Sequence, residues 1–144
     1  MTEMRVLFLC TGNIARSQMA EAFLRKHGGS RVEVQSAGLV PGEDIHPLAR
    51  RVMSEIGFDL VGQHPKSLRQ FLGRSQFDVV IFVCEKKEAG CPVLWPSALT
   101  GLPWPFEDPA AFVGDEEQQM EKFRSVRDQI ERKILEWLGP EPEK

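Results

Sequence analysis

The chain has no tyrosine, three histidines, three cysteines and no surplus of positive charge: 18 Lys and Arg stand against 21 Asp and Glu, a formal net charge of -3 over 144 residues. A nucleic acid would therefore meet no global basic field, and any anion site must be local. No apolar stretch reaches membrane-spanning length, and the opening run Met4 to Leu9 is too short and too close to the start to be a secretion signal, so the expected location is the cytoplasm. An odd cysteine count argues against a purely structural disulfide framework and for at least one working thiol. Zinc is not expected, because the gap from Cys84 to Cys91 is too long for a knuckle and His27, His46 and His64 stand near neither cysteine in sequence. No cofactor is expected.

What the chain does have is concentrated near its start. Met4 to Leu9 is short, apolar and β-compatible, and it delivers Cys10 into Thr11-Gly12-Asn13-Ile14-Ala15-Arg16-Ser17. Gly12-Asn13 tolerates a left-handed turn, and Ser17 is placed to cap a helix that starts at Gln18 and ends around His27-Gly28-Gly29, with Glu21 near the capping-box position. Backbone amides from Thr11 to Arg16 then point at one spot before a helix N-terminus, a cradle for a tetrahedral oxyanion, and Arg16 adds a two-pronged donor. The same field favours thiolate, so Cys10 is expected to ionise near neutral pH. Ser17 can donate to that thiolate as well as cap.

Further along, Arg31 to Ser36 alternates as a strand, and His46 to Ile56 places Leu48, Val52, Met53 and Ile56 at helical spacing before a stop at Gly57. Ser67 to Leu72 reads as a short helix. Phe77 to Val83 is the most hydrophobic run and the best central strand; it delivers Cys84. Pro92 to Pro109 holds five of the ten prolines and is excluded as helix, leaving room for a strand around Leu102 to Phe106. Met120, Phe123, Val126, Ile130, Ile134, Trp137 and Leu138 form the apolar stripe of a long last helix. The expected fold is a single α/β domain over residues 1–139, with a doubly wound, mostly parallel four-stranded sheet flanked by helices and the anion loop after its first strand. Residues 140–144 are expected to fray. A compact domain of this kind is expected to be a monomer.

In such sheets ligands sit beyond the strand carboxyl ends, where Cys10 and Cys84 both fall. Cys91 follows Cys84 across Glu85-Lys86-Lys87-Glu88-Ala89-Gly90, a polar segment with Gly90 as a hinge, and a loop this short closes at little entropic cost. Three such thiols permit an exchange relay; the alternative is a buried strand cysteine and an incidental one. Asp108, before Pro109, is either a helix cap or a general acid over the anion loop, with Glu107 a weaker competitor.

The segment Cys10 to Glu21 resembles the signature of the low-molecular-weight protein tyrosine phosphatase fold, and specifically its thioredoxin-coupled arsenate reductase branch. The Ser36-Ala37-Gly38 turn, the Cys84 and Cys91 pair before Pro92, and Trp104-Pro105-Phe106-Glu107-Asp108-Pro109 match that branch in order, so the likeness covers nearly the whole chain. The resemblance implies that Cys10 attacks arsenate held by the loop amides and Arg16, that Asp108 protonates the departing oxygen, and that Cys84 then attacks the Cys10 sulfur as arsenite leaves. Cys91 next attacks Cys84, and the Cys84–Cys91 disulfide is returned to dithiol by thioredoxin. Asn13 holds the loop in its left-handed conformation.

Some reductases of this type bind potassium beside the loop. Asn13, Glu21 and Ser36 match that site, whereas the expected carboxylate near His64-Pro65-Lys66-Ser67 is Ser67. The phosphatase branch, which hydrolyses aryl phosphates through a cysteinyl-phosphate, is the second reading; it is weakened by the absence of tyrosine and by Ala110-Ala111 where phosphatases carry aromatic walls. Ala15 replaces a second loop cysteine common in both branches. A third reading is a non-enzymatic redox or oxyanion sensor.

Overall fold

A computed structural model describes residues 4–92, 95, 98 and 100–140. Four strands, β1 (Met4–Cys10), β2 (Val32–Gly38), β3 (Val79–Phe82) and β4 (Thr100–Pro103), pair in the order β2-β1-β3-β4, every pair parallel. Three α-helices accompany them: α1 (Arg16–Gly28), α2 (Pro47–Ser54) and α3 (Glu116–Leu138).

Strand alternation sorts β1 between two cores. Val6, Phe8 and Cys10 join the apolar faces of α1, α2 and α3, including Met19, Phe23, Val52, Phe123 and Ile130. Leu7 and Leu9 face the other way, onto Ala37, Leu68, Phe77, Val80 and Phe82. With both faces covered, β1 and β3 can be apolar throughout, and they occupy the middle of the sheet. Their carboxyl ends therefore lie side by side, with Val83 N donating to Leu9 O at 2.9 Å.

Several boundaries differ from the sequence reading. The last strand is Thr100–Pro103 rather than Leu102 to Phe106. Beyond it, Trp104 N and Phe106 N still bond to Phe82 O and Val83 O, but Pro103 and Pro105 carry no N–H and interrupt the ladder. The expected helix at Ser67 to Leu72 is one 3-10 turn, Leu68–Gln70, with Ser67 Oγ accepting from Arg69 N. Helix α3 begins four residues earlier than its apolar stripe, at a capping box in which Asp115 accepts from Gln118 N and Gln118 returns a bond to Asp115 N. Ser36-Ala37-Gly38 is the end of β2, not a turn. In the tail expected to fray, 141–144 lie outside the described residues. No described helix is long and apolar enough to cross a membrane.

Candidate active site

The Cys10 loop is shaped by what its carbonyls bind. Leu39 N, Val40 N, Gly42 N and His46 N donate to the carbonyls of Cys10, Thr11, Gly12 and Ile14 at 2.9–3.2 Å. In a trans peptide the N–H points opposite to its C=O, so pinning these carbonyls against the 39–46 segment turns the next amides inward. One of them, Asn13 N, meets Cys10 Sγ at 3.0 Å. Asn13 is the one described non-glycine residue with positive φ, 55°, as its turn requires. Gly38 lies beneath: a Cβ there would stand 2.8 Å from Thr11 O and 3.0 Å from Asn13 N.

Ser17 does not cap α1. The N-cap is Ala15, with no side-chain cap bond, and Ser17 sits fully buried in the first turn with Oγ 2.8 Å from Cys10 Sγ and 2.6 Å from Asn13 Nδ2. Glu21 is likewise no capping residue; it accepts from Ser36 Oγ at 2.6 Å and from Arg25 Nη2 at 2.7 Å. Thr11 Oγ1 is the one buried side-chain polar atom without a hydrogen-bond partner among the described residues.

Cys84 and Cys91 are joined by a disulfide, and Cys10 is free and buried. The loop between the two cysteines carries a residue that sequence reasoning passed over as merely polar. Glu88 takes both prongs of the Arg16 fork, Nη1 to Oε1 at 2.5 Å and Nη2 to Oε2 at 2.8 Å, while Arg16 Nη1 also donates to Phe106 O at 2.9 Å. The only sequence signal for it was an acidic side chain between two thiols. Asp108 takes the capping place, with Oδ1 accepting from Ala110 N at the Pro109–Ala111 turn, and its Oδ2 lies 3.8 Å from Arg16 Nη2. Glu107 is exposed and pairs with Lys122, away from Arg16. An open groove of about 660 Å³ runs beside the disulfide, lined by Phe82, Cys84, Lys86, Cys91, Pro92 and Pro103 among others.

The expected ionisation of Cys10 near neutral pH is not what this state produces. Burial pushes the thiol up, and the Ser17 hydrogen bond, the Arg16 charge and the Asn13 N–H pull it down without overcoming burial. Arg16 exerts less field than its position promised because Glu88 neutralises it at contact distance. Burial pushes the Glu88 carboxyl up, but Arg16 outweighs this and holds it below the ordinary range. A raised thiol pKa means that thiol persists as pH rises, so alkylation of Cys10 in the disulfide form is expected to accelerate only above the usual thiol range, about 8.5. Glu88→Gln frees the Arg16 charge and moves that midpoint to lower pH; iodoacetamide rates against pH, read on the Cys10 peptide, check this.

The residues matching the potassium site do not fit a metal ion. Asn13 Oδ1 accepts from Lys66 N at 2.9 Å, Asn13 Nδ2 donates to Ser36 Oγ, and the Glu21 oxygens are taken by Ser36 and Arg25, with Lys66 Nζ 3.7 Å from Oε1. A second cation about 4 Å from that ammonium would be repelled by on the order of 4 kcal/mol at the dielectric of a near-surface pair.

Residues 5–143 match the family model of the low molecular weight phosphotyrosine protein phosphatases. An arsenate reductase of Halalkalibacterium halodurans is 38% identical over 129 residues, covering 90% of this chain and 91% of that protein. A glutaredoxin arsenate reductase of Synechocystis is 34% identical over 134 residues, covering 90% and 92%. Among solved structures, an arsenate reductase in the phosphate binding state superposes with a TM-score of 0.77 at 34% identity, covering 94% of this chain and 95% of that one.

Proposed function

Since the chain belongs to the low molecular weight phosphotyrosine protein phosphatase family, we propose that it is an arsenate reductase that turns arsenate into arsenite through Cys10, Cys84 and Cys91. The observation that carries the reading is the Cys84–Cys91 disulfide at the end of β3, beside the end of β1 that bears Cys10. Hydrolysis of a cysteinyl-phosphate has no use for a second and third thiol. A two-electron reduction needs them to carry the oxidising equivalents away.

Arsenate binds against the inward amides of Thr11, Gly12, Asn13, Ile14, Ala15 and Arg16 and the Arg16 fork. The Cys10 thiolate attacks arsenic, one oxygen leaves as water with a proton from Asp108, and an As–S bond joins the two. Cys84 thiolate then attacks Cys10 Sγ: an S–S bond forms, the As–S bond breaks, and its electron pair stays on arsenic, which leaves as arsenite. Cys91 thiolate attacks Cys84, forming the Cys84–Cys91 disulfide and restoring Cys10 thiolate. Ser17, 2.8 Å from Cys10 Sγ, donates to that thiolate each time it forms. In the disulfide form Glu88 holds Arg16, so a fresh oxyanion competes with a carboxylate already seated.

The disulfide is returned to dithiol by a small dithiol protein, for which thioredoxin is the expected donor. Access favours attack on Cys91, which is partly exposed beside the open groove, over Cys84, which is 4% exposed. The cytoplasm, where such donors are kept reduced, suits this cycle.

The test is arsenate-dependent NADPH consumption with thioredoxin and its reductase, then with glutaredoxin and glutathione. Turnover is expected with the first; none with either overturns the reading, and efficient aryl phosphate hydrolysis surviving both Cys84→Ser and Cys91→Ser replaces it with the phosphatase reading. Asp108→Asn keeps an acceptor for Ala110 N but loses the proton, so kcat is expected to fall about 10²-fold or more while the fold persists.

A further inference from the structure

Beside the anion loop lies a chain of buried polar groups that begins at a lysine. Lys66 touches it twice, through its backbone N–H on Asn13 Oδ1 at 2.9 Å and through Nζ, 3.7 Å from Glu21 Oε1. Its carbonyl accepts from Gly38 N at 2.8 Å, which ties the backbone at that point to the end of β2. Glu21 is 3% exposed and Lys66 8%, so the carboxylate finds its compensating charge within the protein, from Lys66 and from Arg25 Nη2 on Oε2.

The direction of every bond beyond Glu21 can be read. A backbone N–H only donates, so Asn13 presents Oδ1 to Lys66 and Nδ2 to the serines, at 3.0 Å to Ser36 Oγ and 2.6 Å to Ser17 Oγ. Ser36, accepting from Asn13, gives its own hydrogen to Glu21 Oε1 at 2.6 Å. Ser17, accepting in the same way, has its hydrogen left for Cys10 Sγ at 2.8 Å, and a thiolate, which has none of its own, can only receive it. Reversing Ser36 would place two lone pairs face to face at Glu21.

We propose that the Lys66 ammonium is the resident cation of the Asn13–Ser36–Glu21 cluster, so that Lys66 is a positioning residue for Cys10 and the protein needs no monovalent metal ion. The ammonium fixes Glu21 as a carboxylate, Glu21 fixes Ser36 as a donor, and Asn13 is then held to direct Ser17 at the nucleophile. Lys66 touches neither substrate nor sulfur. The inference rests on Cys10 being the working nucleophile but not on arsenate being the substrate.

The test is the rate of Cys10 alkylation by iodoacetamide in dithiol-reduced protein, followed on the Cys10 peptide by mass spectrometry, in KCl and in tetramethylammonium chloride at equal ionic strength. Wild type is expected to react equally in both. Lys66→Met is expected to react about tenfold more slowly in tetramethylammonium chloride, the size of one lost hydrogen bond to a charged group, and to regain most of that rate in KCl. Lys66→Arg, which keeps the charge, is expected to stay within about twofold of wild type, and it serves with the wild-type comparison if Lys66→Met does not fold. Potassium acceleration of wild type, a tenfold loss in Lys66→Arg, or a Lys66→Met rate equal to wild type overturns the proposal. A merely structural lysine would lower stability and leave the potassium response flat, which also overturns it.

Discussion

Replacing Cys84 by serine is expected to abolish arsenate turnover, with no arsenite released even stoichiometrically, while Cys91→Ser is expected to release about one arsenite per protein and then stop. The difference follows from electron bookkeeping along the relay. Arsenic accepts its electron pair only when a second thiolate attacks the Cys10 sulfur, and Cys84 stands at the end of the strand next to Cys10. Without that thiolate the As–S adduct remains at the oxidation level of arsenate and returns to it by hydrolysis. With Cys84 present and Cys91 absent, reduction occurs once and the protein halts as a Cys10–Cys84 disulfide, visible by mass spectrometry as a linked pair of peptides. Arsenite quantified in single-turnover mixtures without external reductant distinguishes the two variants. Equal arsenite from both would mean that the cysteines do not act in this order.

Arg16→Lys is expected to lower kcat/KM for arsenate by about 10²- to 10³-fold with little loss of stability, the range seen when one preorganised donor to a developing oxyanion is removed. A lysine keeps the charge but offers a point donor in place of a planar fork that meets two oxygens at once. The structure displays the fork's preference in Glu88, whose two carboxylate oxygens lie 2.5 and 2.8 Å from the two guanidinium nitrogens. The same substitution should weaken the hold of Glu88, so phosphate affinity is expected to drop less in the disulfide form than in the dithiol form. Steady-state kinetics and phosphate titration by calorimetry in the two redox states check both statements.

Much of the fold was legible because its signals are local. The apolar runs of β1 and β3, the stripe of α3 and the glycine stop after α2 each depend on residues a few positions apart. Boundaries slipped where local signals other than apolar periodicity set the ends, as at β4, which ends where prolines remove donors, and at α3, whose capping box precedes its first apolar residue. Ser17 looked like a cap because a serine at a helix start usually is one. Buried beside Cys10 and Asn13, it keeps the expected contact with the thiol and makes no cap bond.

Contiguous residues carry their own geometry, and so the sequence alone determined that a thiol-bearing turn joins β1 to α1, that strands and helices follow one another along the chain, and that two further cysteines lie seven residues apart. The tertiary structure decided everything that depends on charges meeting through space. It set Cys84 beside Cys10 by making β1 and β3 neighbours, brought Asp108 and Glu88 to one guanidinium, and brought Lys66 to Glu21 across 45 residues of chain. It also decided the state of Cys10, since desolvation and the pairing of Arg16 act over a few ångströms in space whatever their separation in sequence.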